Sequence, residues 1–339
     1  MEQTPGLRGL LLSHGGPDRA AHLREDADLL DRLLADAGTR VVAVRGDRVL
    51  VAPVPAHSMA PTADPSPAPA DGVAGALGLV LRSPSAADGG LLAVFLGLHP
   101  GEDGERTAYL GVVEAPTDSD GDAGWQTLRA AGALLPDLDA SLAATLLALA
   151  NWHRSHDRCS RCGAPSEPAS AGWVRRCTRD GSQHFPRTDP SVIMSVIDDD
   201  GRLLLGRGVT WPANQFSVLA GFVEPGESLE AAVAREVLEE SGVVVTEVSY
   251  LGSQPWPFPS SLMLGFTARA VTTELTHDPT EMAEVRWVTR AEYAALLRSG
   301  AIRVPGSISI ARRIIERWLG ADLEVAAGHA VIEGWRPTT

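Results

Sequence analysis

The sequence predicts an α+β protein in which two larger units are joined by a short cysteine-bearing segment. Strand-like and helix-like stretches follow one another in the first half of the chain, and after residue 190 the order becomes strand, hairpin, strand, helix, strand. A length of 339 residues suits two or three domains. We therefore expect a smaller N-terminal α+β domain at 1–153, the cysteine segment at 154–189, a second α+β domain at 190–322 and a C-terminal tail at 323–339.

The composition is that of an ordinary globular protein with an excess of acidic residues. Hydrophobic residues make up 44% of the chain, and 29 arginines face 43 acidic residues, which gives a net charge of −14. This charge argues against a broad electrostatic grip on DNA or on an anionic membrane. The chain contains no lysine, which excludes chemistry that needs a P-loop or Schiff-base lysine. A phosphate group must therefore be bound by arginine, by backbone N–H groups or by metal.

No targeting segment is predicted. The stretch MEQTPGLRGLLLSHGG has a short apolar run with no basic region before it, which is not typical of a secretory signal. No uninterrupted apolar stretch reaches the length of a membrane span. The three cysteines all lie within 159–177, which favours a metal site in a reducing compartment over a disulfide framework. We expect a cytoplasmic protein that binds neither DNA nor membrane.

The N-terminal unit has predicted strands and a helix, but no motif that indicates a catalytic or binding site. Residues 39–51, 91–98 and 107–115 read as strands, and 138–156 has the apolar spacing of a helix. A stretch rich in Pro, Ala and Ser at 50–76 is typical of an exposed insertion. Beyond a scaffold or a dimerisation role, the sequence predicts no function for this unit.

The cysteine segment is typical of a zinc ribbon that lacks one thiolate. Cys159, Cys162 and Cys177 supply three ligands, and structural zinc requires four in tetrahedral geometry. Asp180 stands where a fourth cysteine would stand in a Cys-x-x-Cys knuckle, and His184 is the alternative fourth ligand. A degenerate site that binds metal weakly or not at all is a third interpretation. If zinc binds, its role is structural, because a closed ribbon leaves no open coordination position.

The strongest signal is a glutamate-rich helix. Ser228 is a predicted N-cap and Gly242 a predicted C-terminal stop, so the helix covers about 228–241. Glu236, Glu239 and Glu240 are three and four positions apart, which crowds their carboxylates on one face. Hard oxygen ligands grouped in this way suit Mg²⁺ or Mn²⁺. The ordinary alternative is a solvated acidic face.

A longer pattern decides against that alternative. The segment fits Gly-x5-Glu-x7-Arg-Glu-U-x-Glu-Glu-x-Gly-U, where U is aliphatic, and therefore resembles the box of the Nudix hydrolase family. The resemblance implies an α/β/α sandwich with a strand–loop–helix metal site, and hydrolysis of a nucleoside diphosphate linked to another group. The matching residues are Gly221, Glu227, Arg235, Glu236, Val237, Glu239, Glu240, Gly242 and Val243.

The resemblance implies roles for individual residues of this site. Arg235 is expected to hold Glu227 at the start of the helix. Which carboxylate acts as the base varies among Nudix enzymes, so that role stays open here. The expected metal ligands are the carboxylates of Glu236 and Glu240, with Glu239 as a third, the backbone carbonyl of Ala220, and the carboxylate of Glu281 beyond the box.

Three further features resemble the NADH pyrophosphatase branch of this family, over roughly residues 138–322. A zinc-ribbon-like segment precedes the catalytic domain, FPRTDPSVIM links the two, and SQPWPFPSSLM begins ten residues after the box ends. Members split NAD(H) into nicotinamide mononucleotide and AMP, bacterial members also remove NAD caps from RNA 5′ ends, and many are homodimers. The implied substrate-contacting residues are Phe185, Phe222, Gln254, Pro255, Trp256, Pro257, Phe258, Pro259, Ser260, Ser261 and Ala311.

Two alternatives remain at this point. A Nudix hydrolase could prefer ADP-ribose, dinucleoside polyphosphates or nucleotide sugars. The fold could also serve as a catalytically silent nucleotide- or RNA-binding regulator, although the intact Arg235–Glu236 and Glu239–Glu240 pairs argue against loss of activity. For the two phenylalanines, Phe185 and Phe222, core packing is the ordinary alternative to stacking on a base.

Overall fold

A computed structural model describes residues 6–7, 9–13, 15–54, 77–101, 104–115 and 123–328 of the chain. The insertion predicted at 50–76 lies outside the described residues from position 55 onward. The first positions of this stretch, 50–53, belong to the strand Arg48–Pro53 instead. Within the described part of the chain, no helix is both long and apolar enough to cross a membrane.

The N-terminal unit is built on a six-stranded mixed sheet with the order β3-β2-β1-β5-β4, in which β6 also pairs with β2. β1 and β5 are parallel, and the other neighbours are antiparallel. The unit comprises β1 (Arg40–Arg45), β2 (Arg48–Pro53), β3 (Leu77–Leu79), β4 (Leu92–Pro100), β5 (Arg106–Glu114), β6 (Trp125–Thr127), α1 (Leu29–Ala35), α2 (Leu128–Ala131) and α3 (Asp137–Ser155).

The long helix α3 covers one face of this sheet. Its residues Leu142, Leu146 and Leu147 are buried in the core that the helix shares with the strands. Gly111 of β5 makes the close approach feasible, because a Cβ at this position would collide with the Leu146 side chain. The C-terminal part of α3 packs in the same core through Ala150 and Trp152, and Asn151 between them is buried.

The cysteine segment forms a small three-stranded antiparallel sheet that is attached to the end of α3. Arg175 donates to Nδ1 of His153 at 2.9 Å, and Nε2 of His153 lies 2.8 Å from the carbonyl oxygen of Gly172. A guanidinium can only donate, so His153 is the neutral tautomer that donates through Nε2. Burial lowers the pKa of His153, which favours this state. The strands are β7 (Ser166–Ala169), β8 (Val174–Cys177) and β9 (Gln183–His184).

The C-terminal unit has a second six-stranded mixed sheet with the order β13-β14-β10-β11-β15, in which β12 also pairs with β10. β10 and β14 are parallel, and β10 and β11 form the predicted antiparallel hairpin. The unit comprises β10 (Asp189–Ile197), β11 (Leu203–Gly208), β12 (Leu219–Phe222), β13 (Val245–Trp256), β14 (Ser261–Ala270), β15 (Met282–Val288), α4 (Leu229–Ser241), α5 (Arg290–Arg298), α6 (Ile310–Leu319) and α7 (Leu323–Ala326).

Helices cover both faces of this second sheet. Val233 and Val237 of α4 belong to the core on one face, whereas Leu297 of α5 and Ile314 of α6 belong to the core on the other. Leu323 lies within the stretch expected to be a tail, but it is fully buried in the core that contains Leu297 and Ile314. The predicted α+β class with an α/β/α layered unit is therefore confirmed.

The proline-rich stretch is mostly strand, with a four-residue turn at 257–260 between β13 and β14. The expected substrate loop, Gln254–Ser261, is therefore the tip of a hairpin. β13 is an edge strand, which explains how it accommodates Pro255. Residues 7 and 9–13 lie beside that edge, where the Leu7 backbone N–H donates to the Leu251 carbonyl oxygen at 2.7 Å. Leu10 is buried in the core of the C-terminal unit.

Candidate active site

The site is built around the turn between β12 and the start of α4. The Oγ of Ser228 accepts a hydrogen bond from the Ala231 backbone N–H at 3.2 Å, as expected of an N-cap. At the other end Gly242 adopts φ 73°, the left-handed conformation in which glycine commonly ends a helix. The predicted boundaries of the acidic helix are thus confirmed.

Arg235 ties the turn to the helix. Its guanidinium donates to Glu227 at 2.8 and 3.0 Å, to Glu236 at 2.9 Å, to Glu239 at 2.9 Å and to the Phe222 carbonyl oxygen at 2.9 Å. The pairing of Arg235 with Glu227 is as predicted, and it lowers the pKa of Glu227 to about 2. A planar donor with five N–H groups can satisfy all these acceptors at once.

Glu240 is the most unusual carboxylate of the site. Its Oε2 is buried and has no hydrogen-bond partner among the described residues. Burial raises the pKa of Glu240 to about 8, and the nearby carboxylates of Glu236, Glu281 and Glu239 add to this effect. Burial also raises the pKa of Glu236. The backbone N–H of Ala220 also bonds to this carboxyl group, but a buried carboxylate oxygen without a partner is costly in its charged form unless a cation joins it.

Gly221 leaves the room that Glu236 occupies. A Cβ at position 221 would overlap the Glu236 carboxylate, and the φ of Gly221 is not in the left-handed region. Glycine is therefore required here for space rather than for backbone conformation. Together with the unpartnered oxygen of Glu240, this cradle of hard oxygen atoms fits Mg²⁺ or Mn²⁺. Glu239 differs from Glu236 and Glu240 in its surroundings, because its side chain is 55% exposed and is paired with Arg235.

A cavity of about 310 Å³ brings several of the sequence-predicted residues together. Ala220, Glu240 and Glu281 line it, and so do Trp256 from the hairpin tip and Ala311 from α6. These five positions are distant in sequence. Phe185 and Phe222 are not among the residues that line the cavity. Both side chains are exposed, which disfavours the alternative that they pack in the core.

Gln254 does not face the cavity. Its side chain is buried, and Nε2 donates to the carbonyl oxygens of Leu11 at 2.8 Å and Ile308 at 2.7 Å. Its Oε1 accepts from the Ile310 backbone N–H at 2.9 Å. All three hydrogen bonds are made within the chain, so the structure gives Gln254 a role in holding backbone rather than the direct substrate contact expected from the sequence. The N-terminus of α6, beside Ala311, is held by this amide.

The hairpin tip packs on the N-terminal unit: Trp256 and Phe258 lie against its apolar core, and two polar side chains, Arg129 and Asn151, contact the tip although no sequence motif indicates either of them. The guanidinium of Arg129 lies 4.1 Å from the ring centre of Phe258 and 4.8 Å from that of Trp256. The two aromatic rings themselves meet edge to face at 5.0 Å. Asn151 donates to the carbonyl oxygens of Pro257 and Pro259. The N-terminal unit therefore forms part of the surroundings of the site.

The ribbon brings together a second set of ligands. The ligand atoms of Cys159, Cys162, Cys177 and Asp180 all lie within 4.8 Å of one another. This donor set fits the tetrahedral coordination of Zn²⁺. Oδ1 of Asp180 accepts from the Ser182 backbone N–H at 2.9 Å and from its Oγ at 2.6 Å, which orients the carboxylate. His184, the alternative ligand, is not in the group.

We expect Asp180→Ala to weaken zinc binding by at least about tenfold, because it leaves three protein ligands. Asp180→Cys should instead restore a four-thiolate site and tighten binding. His184→Ala is the matched control and should retain wild-type affinity. Zinc content and competition with a chromophoric chelator measure the effect. Loss of zinc in His184→Ala, with Asp180→Ala unaffected, would reverse the assignment.

Three family descriptions match successive parts of the chain. Residues 38–152 match the NADH pyrophosphatase-like rudimentary NUDIX domain, residues 154–185 the NADH pyrophosphatase zinc ribbon domain, and residues 187–304 the NUDIX domain. The N-terminal unit, which lacks the acidic helix motif, is thus itself similar to a reduced version of the C-terminal unit. Each has a six-stranded mixed sheet with one parallel pair of strands.

Named relatives are similar over the same region. The chain is 44% identical over 240 residues to the NAD-capped RNA hydrolase NudC of Mycobacterium bovis, covering 68% of this chain and 76% of that protein. The protein of that name in Mycobacterium tuberculosis is 43% identical over the same shares. The human NAD-capped RNA hydrolase NUDT12 is 41% identical over 197 residues, which cover 55% of this chain and 43% of that protein.

Proposed function

The chain belongs to the NADH pyrophosphatase branch of the Nudix hydrolase family, and from this premise we propose that it hydrolyses the diphosphate of NAD(H) to nicotinamide mononucleotide and AMP. We propose that it also removes NAD caps from RNA 5′ ends, because the similar proteins of two mycobacteria and of human carry the name NAD-capped RNA hydrolase. The observation that carries the proposal is the single cavity that joins Glu240 and Glu281 to Trp256 and Ala311.

The proposed metal ligands are the carboxylates of Glu236, Glu240 and Glu281, with the Ala220 carbonyl and Glu239 completing the set. The burial of Glu240 and the cradle at Gly221 support this assignment. A bound Mg²⁺ or Mn²⁺ supplies charge neutralisation for the diphosphate and a more acidic water. The ribbon is proposed to hold structural Zn²⁺ through its three cysteines, with Asp180 as the fourth ligand.

The protein groups of the site would do four things. Trp256 offers a flat apolar surface to a base or ribose at one side of the cavity. The glutamates at the other side would hold the reacting phosphates in place through their cation. Arg235 keeps the turn and the helix in register. Phe222 and Phe185 are exposed aromatics and are proposed to stack on the dinucleotide. The reaction adds water across the P–O–P linkage, and both products leave as monophosphates.

A comparison of substrates tests this proposal. With Mg²⁺ or Mn²⁺ present, we expect NADH to yield two mononucleotides with a kcat/KM at least about tenfold above those for ADP-ribose, diadenosine polyphosphates and nucleotide sugars, since each of these differs from NADH in the group attached to the diphosphate or in the length of the phosphate chain. An RNA with a 5′ NAD cap is assayed beside free NADH. Chromatography of the products shows which bond is cut.

Each outcome of that comparison has a clear meaning. Preference for ADP-ribose or a nucleotide sugar would keep the Nudix chemistry and overturn the NAD(H) assignment. Binding of nucleotides without turnover of any of them would indicate the silent regulator instead. The retained glutamates and their Arg235 contacts argue against that result. The capped RNA decides which of the two NAD-containing substrates is preferred.

Three further properties are part of this proposal. We propose a homodimer, as is common in this branch, and a cytoplasmic location, which agrees with the three clustered cysteines. The proposed units remain 1–153, 154–189 and 190–322, and the stretch 323–339, expected as a tail, begins with α7, which packs on the C-terminal unit through Leu323. Gln254 through Ser261 remains the proposed substrate segment, with contact assigned to the exposed or cavity-lining members rather than to the buried amide of Gln254.

A further inference from the structure

The four-residue turn of the hairpin, 257–260, cannot satisfy its own backbone. Pro257 and Pro259 have no backbone N–H group, so two of the four residues of the turn cannot donate a hydrogen bond. Their carbonyl oxygens still need partners where water is excluded. One internal hydrogen bond is present, from the Phe258 N–H to the Trp256 carbonyl oxygen at 2.7 Å. Pro257 is buried and Pro259 is exposed, so it is above all the Pro257 carbonyl that needs a donor from outside the hairpin.

Asn151 of α3 is that donor. Its Nδ2 lies 3.0 Å from the Pro257 carbonyl oxygen and 3.1 Å from that of Pro259, and the residue is 8% exposed. Both N–H groups of the amide are used, one for each carbonyl. The contact joins the N-terminal unit to the hairpin tip, although the two stretches are 106 positions apart in the chain.

The orientation of the amide is fixed from its other side. The Oδ1 of Asn151 accepts from the Arg154 guanidinium at 2.7 Å. A guanidinium only donates, so the atom facing Arg154 must be the oxygen and the atom facing the proline carbonyls must be the nitrogen. The side chain is thereby oriented as a two-donor clamp. Its three hydrogen bonds use both N–H donors of Nδ2 and one acceptor position of Oδ1.

The clamped turn adjoins the proposed nucleotide surface. Trp256, which lines the cavity, directly precedes the turn, and the ring of Phe258 within the turn packs against it edge to face. The far end of the turn is held separately, because the Ser260 carbonyl oxygen and Oγ are both bonded to Asp189 at 2.8 Å. Asn151 therefore holds the backbone in the middle of the turn, while Arg129 and the apolar core of the N-terminal unit contact the rings of Phe258 and Trp256 that this backbone carries.

We infer that Asn151 is a positioning residue through which the N-terminal unit sets the shape of the substrate-contacting hairpin. Asn151 is not among the residues that line the cavity. The inference rests on the proposed function for the identity of the ligand, and it gives the N-terminal unit a part in substrate recognition that its sequence does not reveal. Removal of the clamp should misplace the aromatic surface and weaken nucleotide binding more than it slows the chemical step.

Asn151→Asp is the sharpest test because it is isosteric. The carboxylate still accepts from Arg154, but it loses both N–H donors and places an oxygen against two carbonyl oxygens. We expect KM for NADH to rise about tenfold while kcat changes by less than about threefold. Amide hydrogen exchange in peptides covering 253–264 should become faster. Asn151→Ser, which retains one hydroxyl donor, should give a smaller change of the same kind.

Ser155→Ala is the matched control. Ser155 lies on the last turn of the same helix, and within the described part of the chain its hydroxyl bonds to the carbonyl oxygens of Asn151 and Trp152 and to His156. Its KM and its exchange pattern should be those of the wild type. An unchanged KM and unchanged exchange in folded Asn151→Asp would overturn the inference, and so would a fall in kcat at constant KM. Failure of both Asn151 variants to fold would assign the residue to stability alone.

The two readouts separate this inference from the proposed function. If wild-type protein does not cleave NADH, the proposed function fails, and the exchange measurement still decides whether Asn151 holds the hairpin. If wild-type protein cleaves NADH and only the exchange and KM effects are missing, the inference alone fails.

Discussion

Glu240→Gln should lower kcat for NADH hydrolysis by about a thousandfold or more while the protein remains folded. Glutamine keeps the shape of the side chain but removes the charge of a buried carboxylate whose Oε2 has no partner among the described residues. Because the raised pKa of about 8 keeps Glu240 largely protonated at pH 7 without metal, metal-free Glu240→Gln should unfold near the wild-type temperature at pH 7, and at a higher temperature than wild type above pH 8, where wild-type Glu240 is charged beside Glu236 and Glu281. Steady-state kinetics and thermal unfolding with and without Mg²⁺ measure both effects.

Glu230→Gln is the control for this substitution. Glu230 is an exposed acidic residue in the first turn of the same helix, away from the cavity lining. It should leave kcat and the metal-dependent rise in unfolding temperature unchanged. Retention of both properties in Glu240→Gln would exclude Glu240 from the metal site.

Gly221→Ala should lower kcat by about a hundredfold through displacement of one carboxylate. The added Cβ would occupy the space of the Glu236 carboxylate, so this flexible side-chain end must move and give up its hydrogen bond from Arg235. We also expect a loss of at most about 1 kcal/mol in the free energy of unfolding, the lower end of the cost of overpacking, because only the end of a side chain is displaced. Kinetics at saturating NADH, followed by denaturant unfolding, separate the two effects.

Gly226→Ala provides the matched comparison within the same strand–loop–helix segment. Gly226 has φ +89°, and no atom lies within 4 Å of the place that a Cβ would take, so alanine there meets backbone strain but no collision. It should cost about 1 kcal/mol of stability and leave kcat within about threefold of wild type. If the two variants behaved alike, the loss in Gly221→Ala would reflect loop strain, and the steric argument would fail.

The acidic helix was predictable because its information is local. An N-capping serine, an aliphatic stripe and a glycine stop lie within one short stretch, and they determine the boundaries of α4 without reference to other parts of the chain. The pair Arg235–Glu227 belongs to the same stretch. Glu240 and Glu281 could be chosen as site residues from the family pattern, although their burial and shared cavity could not be read from it.

The environment of the hairpin was not predictable because it depends on distant residues. The amide of Gln254 bonds to residues 243 and 54 positions away, and nothing in SQPWPFPSSLM indicates that this glutamine is buried. Asn151 lies in a helix whose apolar spacing indicates only core packing. Hydrophobic periodicity reports which face of an element is buried, and it carries no information on which polar groups will meet across units.

The stretch 7–13 beside the edge of β13 has a consequence for how the chain is made. The Leu11 carbonyl receives its hydrogen bond from a residue 243 positions later, so on a ribosome this stretch emerges long before its partner strand exists. Contacts of such separation form late, after both sheets have closed. Until then Leu10 has no core to enter, and the nascent chain carries an apolar, unpaired segment. The docking of this segment is therefore expected to be among the last events of folding.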